Sequence, residues 1–175
     1  IGVSYNSKKV FDITQTNAKP RENAGIKRDE RMLLKALIHN APCPIEISQQ
    51  MPEGINAAYR PQDKKIFVRA GLDAGDIFRG LSQELAHAHL DNGEYKRNEH
   101  AFTAYCASYM LCSRYNVAKD MFRFERLPEN ISTMDARSMR NELSKIRDVA
   151  NEISADMAKI LEKDMKPKER RDEAR

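Results

Sequence analysis

The chain has 175 residues, of which 41% are apolar and 32% charged. That is enough for one domain with its own core, and no run of about 18 apolar residues is present to cross a membrane. Seven Gly, seven Pro and a periodic placement of the apolar residues exclude collagen-like, low-complexity and wholly disordered classes. The net charge is +4, and the first forty residues alone hold eight Lys or Arg against four Asp or Glu. The cationic cluster there is Lys19, Arg21, Lys27, Arg28 and Arg31. It reads either as a solvated arm or as a nucleic-acid contact, without the aromatic ladder that single-strand binders add. Three cysteines, an odd number with no C-x-x-C, predict a reducing, cytoplasmic setting. The first residue is Ile1 and no basic-then-apolar leader follows, which reads as a slice of a larger intracellular protein.

In chain order, residues 1–26 form a basic extended arm carrying Val3, Tyr5, Val10, Phe11 and Ile13. Met32, Leu33, Ala36 and Leu37 recur at helical spacing, which predicts a helix from about Lys27 to His39, closed by Asn40 and Pro42. Ile45-Glu46-Ile47 fits a strand or a short helix equally. Residues 56–69 read as a hairpin: two short extended runs around Pro61-Gln-Asp63. Gly71 breaks the second run, and Asp73 or Asp76 caps a helix reaching Leu90, where Asp91-Asn92-Gly93 stops it. A broadly apolar helix is predicted from an Asn98 cap to Tyr115, followed by an aromatic anchor of Met121, Phe122 and Phe124. Ser132-x-x-Asp135 resembles a capping box. Met139, Leu143, Ile146, Ala150, Ile153, Met157 and Ile160 then define the stripe of one long helix over 135–165, with a charged tail at 166–175. The expected organisation is a single domain over 1–165, with the arm at 1–26, the core at 27–134 and the long helix last.

The stretch that carries chemistry is Gln83-Glu84-Leu85-Ala86-His87. A helical H-E-x-x-H places two histidines on one face as metal ligands, with the glutamate beside them as general base on a metal-bound water. Here Glu84 and His87 stand at the base and second-ligand positions, and Gln83 stands where the first ligand belongs. A neutral amide oxygen is a poor zinc ligand beside imidazole. His89 lies about 200° around the helix from His87 and does not replace it. Cys106 and Cys112 do not face one ligand and read as small core residues.

These segments resemble the metallopeptidase-like domains of large proteins of bacterial plasmids and conjugative transposons, related to the ImmA/IrrE zinc metallopeptidases and to the domain of ArdC-type antirestriction proteins. The resemblance runs through Val10–Thr16, the hairpin, Phe78–His87, Ala104–Tyr115 and Glu142–Ala150. It implies an α+β fold: a mostly helical zincin-like core with a small twisted sheet and a long C-terminal helix. It further implies that the helix after the motif supplies an acidic third ligand, and the matching positions here are Ala101 and Tyr105. A register shifted by one or two residues offers Glu99 or His100. Three functions remain open on the sequence. The first, favoured, is a non-catalytic domain of a mobile-element protein that needs no cofactor and binds a peptide or a sibling domain through the old cleft. The second is a zinc peptidase with a rearranged ligand set drawn from His87, Glu99 and His100, with Glu84 as base. The third is a nucleic-acid accessory domain acting through the arm.

Overall fold

A computed structural model describes residues 29–39 and 41–165. The arm at 1–26, with Lys19 and Arg21, lies outside the described residues, as do Lys27, Arg28 and the tail at 166–175. The fold is α+β, with the order α1 (Glu30–His39), β1 (Ile45–Ser48), β2 (Ala57–Arg60), β3 (Lys65–Arg69), α2 (Ala74–Leu90), α3 (Arg97–Tyr115), α4 (Glu129–Ser132) and α5 (Ala136–Met165). Among the described residues no helix is long and apolar enough to cross a membrane.

Ile45-Glu46-Ile47 proves to be strand: β1 runs parallel to β3, with Ile45 opposite Ile66. β2 and β3 form the expected antiparallel hairpin, with Tyr59 opposite Ile66, so the order across the sheet is β1-β3-β2. The turn between them closes with Lys64 at φ 48°, a left-handed conformation that no glycine in the stretch announces. Alternation along β2 and β3 buries Ala57, Tyr59, Ile66 and Val68 on one face. α2 packs against that face with Phe78, Leu81 and Leu85, each almost fully buried and each contributing about 1.5–3 kcal/mol. The helix comes close to the strand because residue 80 is glycine: a Cβ there would sit 3.3 Å from that of Ala57. Asp73 is the α2 cap, its carboxylate accepting from the Asp76 amide at 2.8 Å.

α3 begins at Arg97, so the expected cap at Asn98 is corrected: Lys96 occupies the cap position, and its side chain makes no capping hydrogen bond. The start is held instead by a tertiary ion pair of Arg97 with Glu84. Asn116, at φ 56°, ends α3 in the left-handed conformation. The capping box also falls differently. Ser132 ends the short α4 and donates to the Glu129 carbonyl, whereas Asp135 caps α5 by accepting from the amides of Arg137 and Ser138. Along α5 the buried stripe holds Ile146, Val149, Ala150, Ile153, Met157, Ile160 and Leu161. Leu143 was expected on that stripe but is 55% exposed. Its inward place is taken by Glu142, which is buried and accepts from the Thr103 hydroxyl. α5 lies against both α1 and α3, and buried apolar side chains of α1, the sheet, α2, α3 and α5 join in one cluster.

Candidate functional site

The motif segment lies in the middle and last turns of α2, on the side facing β2 and α3. Glu84 is 3% exposed, which forces its carboxylate to find partners inside the protein. It finds three. Oε2 accepts from the Tyr59 amide of β2 at 2.6 Å and from Arg97 at 2.8 Å, and Oε1 accepts from Arg97 at 2.6 Å. The guanidinium thus grips the carboxylate through both oxygens, the strongest geometry open to such a pair. Glu84 in turn raises the Arg97 pKa above its ordinary value.

The strand is fixed at the same place from its other end. The Tyr59 hydroxyl donates to Asp91 at 2.7 Å, and Lys64 reaches the same carboxylate at 2.6 Å. These two bonds hold the Asp91 carboxyl down to about 2. In the hairpin register the amides of Ala57 and Tyr59 both point away from β3, because residues of one strand alternate between paired and unpaired positions. Glu84 therefore occupies one of the two outward amides of this edge.

His87 is completely buried, with its Nδ1 against the Tyr95 hydroxyl. Its Nε2 is buried and has no hydrogen-bond partner among the described residues. Burial, and after it the charges of Arg97 and His100, lower the imidazole pKa to about 3, so the ring is neutral through the ordinary pH range. Burial likewise pushes the Tyr95 hydroxyl up to about 12. The Tyr95 ring stacks on His100 at 5.5 Å and meets His87 edge-on at 5.9 Å. Tyr95 thus lies between the two histidines, and Glu99 is exposed and paired with Lys96 at 3.1 Å.

Gln83, Ala101 and Tyr105, the positions that the resemblance sets against ligands, lie near one another. Gln83 and Tyr105 line a cleft of about 290 Å³ together with Asn56, Ala57, Glu84 and Arg97. Gln83, Ala101 and Tyr105 together line a neighbouring cavity of about 300 Å³. None of the three is a His, Cys, Asp or Glu, and Tyr105 is engaged elsewhere. The Tyr105 hydroxyl accepts from the Arg123 amide at 2.5 Å and donates to its carbonyl at 3.4 Å, pinning the 117–128 loop beside the cleft. Among the described residues no group of three His, Cys, Asp or Glu side chains is placed to hold a metal ion. A zinc ion therefore does not fit the donor set: His87 offers one open nitrogen, and both oxygens of Glu84 are taken by Arg97. His89 is engaged elsewhere, 3.3 Å from Glu152. Cys112 is buried in the core, and burial raises its thiol pKa to about 11. Of the cationic cluster, Arg31 alone lies among the described residues, exposed in the first turn of α1.

The sequence reading missed Arg97 and Tyr95. The available signal was chemical: a buried glutamate needs a cation, and the start of the next helix carries Lys96-Arg97. No family model, curated protein or solved structure matches the chain.

Proposed function

We propose that the chain is a non-catalytic, metallopeptidase-like domain of a mobile-element protein, and that it binds a peptide or a sibling domain in the cleft between β2 and the α2–α3 pair. The observation that supports this reading best is the bidentate grip of Arg97 on Glu84. A general base must present a free lone pair within reach of the proton it removes. Glu84 spends both oxygens on a guanidinium and a backbone amide, and in this reading Arg97 supplies the positive charge that a metal supplies in the active relatives. What remains is a concave site beside a strand edge, with the Ala57 amide still directed outward. Extended segments add to such edges through main-chain hydrogen bonds.

One observation favours the zinc-peptidase reading: the Nε2 of His87 is buried with no partner among the described residues. Metal analysis of protein purified without a polyhistidine tag separates the two. The non-catalytic reading expects far less than one zinc per chain, unchanged in His87→Ala. One zinc per chain, lost in that variant, would overturn it.

A further inference from the structure

We propose that the cavity between α3 and the 117–128 loop selects the occupant of the cleft, and that it takes an extended acidic peptide segment anchored by one bulky apolar side chain. This rests on the peptide-binding reading above and names its partner chemistry. The cleft and the cavity share Gln83 and Tyr105, so they form one groove that starts at Asn56 and Ala57 of the β2 edge. The far cavity, about 300 Å³, is walled by Ala101, Phe102, Tyr105, Phe124 and Pro128. Apolar pockets near this size hold a large side chain with a few polar groups fixing its orientation.

The polar groups that line this cavity besides Gln83 and Tyr105 are Arg123 and Arg126. In the first cleft the two arginines are already matched, Arg97 to Glu84 and Arg79 to Asp76. In the second they are not. The Arg123 guanidinium bonds the backbone carbonyls of Asp120 and Phe122, which are neutral, and Arg126 has no ion-pair partner among the described residues. The lining charge at this end is positive and uncompensated, so the complementary partner carries carboxylates beside its apolar anchor.

A nucleic-acid strand also offers negative charge, but it needs open ring faces for its bases. Here the rings are committed to one another. Tyr105 meets Phe122 and Phe124 at 5.0 and 5.4 Å, and Tyr109 meets Phe124 at 5.1 Å, all edge to face. The arrangement forms a walled socket rather than a row of stacking platforms.

The test is selection of a displayed random heptapeptide library on the whole chain, followed by anisotropy titration of the enriched peptides and of a twelve-nucleotide oligo(dT). The proposal expects peptides with Phe, Leu or Met next to Asp or Glu. Their binding should weaken roughly tenfold or more in Arg126→Glu and return when the peptide acids are changed to Lys. Phe124→Ala should weaken acidic and lysine forms alike. Circular dichroism on both variants confirms that they fold, and both sites are exposed on the loop. Enrichment of peptides without acidic residues, or binding indifferent to Arg126→Glu, would overturn this inference and leave the peptide-binding reading standing. No enrichment at all would overturn both. Salt-sensitive oligo(dT) binding lost in Phe124→Ala would assign the groove to single strands instead.

Discussion

The Glu84–Arg97 pair is where the chemistry of the residues is most constrained. The carboxylate is buried and the guanidinium is 43% exposed on its side chain. Removing the arginine leaves a charged group in the interior whose remaining hydrogen bond among the described residues is from the Tyr59 amide. A fully buried pair loses about 3–5 kcal/mol on such a change, and the partly solvated arginine brings the expected cost of Arg97→Ala to about 2–3 kcal/mol. Urea unfolding of Arg97→Ala, Glu84→Gln and the double variant measures it, and the double variant should be more stable than the sum of the two singles implies. His87 makes a second prediction. Its folded pKa is about 3, below the ordinary 6.5, and its titration is held down by burial and by Arg97 and His100. The unfolded chain thus binds a proton between pH 6.5 and 3 that the folded chain refuses. The stability this site contributes is complete above pH 6.5 and is lost as the pH falls toward 3, at up to about 1.4 kcal/mol per pH unit in that window. In His87→Leu the unfolding free energy should fall less steeply over the same window. An unchanged slope would show that the ring is protonated in the folded protein.

At the scale of elements, the caps separate what local sequence dictates from what packing dictates. Asp135 accepts two backbone amides of α5 and also the Ser138 hydroxyl, so Asp135→Ala should cost about 1 kcal/mol in thermal or urea unfolding. Ser132→Ala removes only a bond back to its own turn and should stay within about 0.5 kcal/mol. The reverse order would restore the capping box read from the sequence. The helices with strong apolar periodicity and the hairpin were legible, because each is set by residues close to one another in sequence. α4 was not, since four residues are too few to show a period. Leu143 was misread because a three-four spacing admits two adjacent residues, and the choice fell to Glu142 through its bond to Thr103 on another helix. The candidate site shows the same division. Gln83, Glu84, Ala101 and Tyr105 were legible as positions on two helices that meet. Arg97 was not, because its role is decided by how the start of α3 approaches α2 and leaves no mark in the spacing.

For the whole molecule, the consequence is that one core joins α1, the sheet, α2, α3 and α5. α2 has the sheet on one side and α3 on another, while α5 closes the assembly over α1 and α3. The buried α5 side chains Val149, Ala150, Ile153, Met157, Ile160 and Leu161 belong to the same cluster as Leu33 and Leu37 of α1 and Leu111 of α3. A chain ending after Met134 would expose these residues to water. Each large apolar side chain is worth about 1.5–3 kcal/mol when buried, against a total stability on the order of 5–15 kcal/mol for a domain. The shortened chain should therefore lose its cooperative transition altogether, rather than melt as a smaller version of the same fold. The chain contains no Trp but six Tyr, so Tyr fluorescence can be followed beside far-ultraviolet circular dichroism. In the full chain the two signals should change together through one transition. Separate midpoints would mean that α5 is a removable brace, and the cleft formed by β2, α2 and α3 would then stand without it.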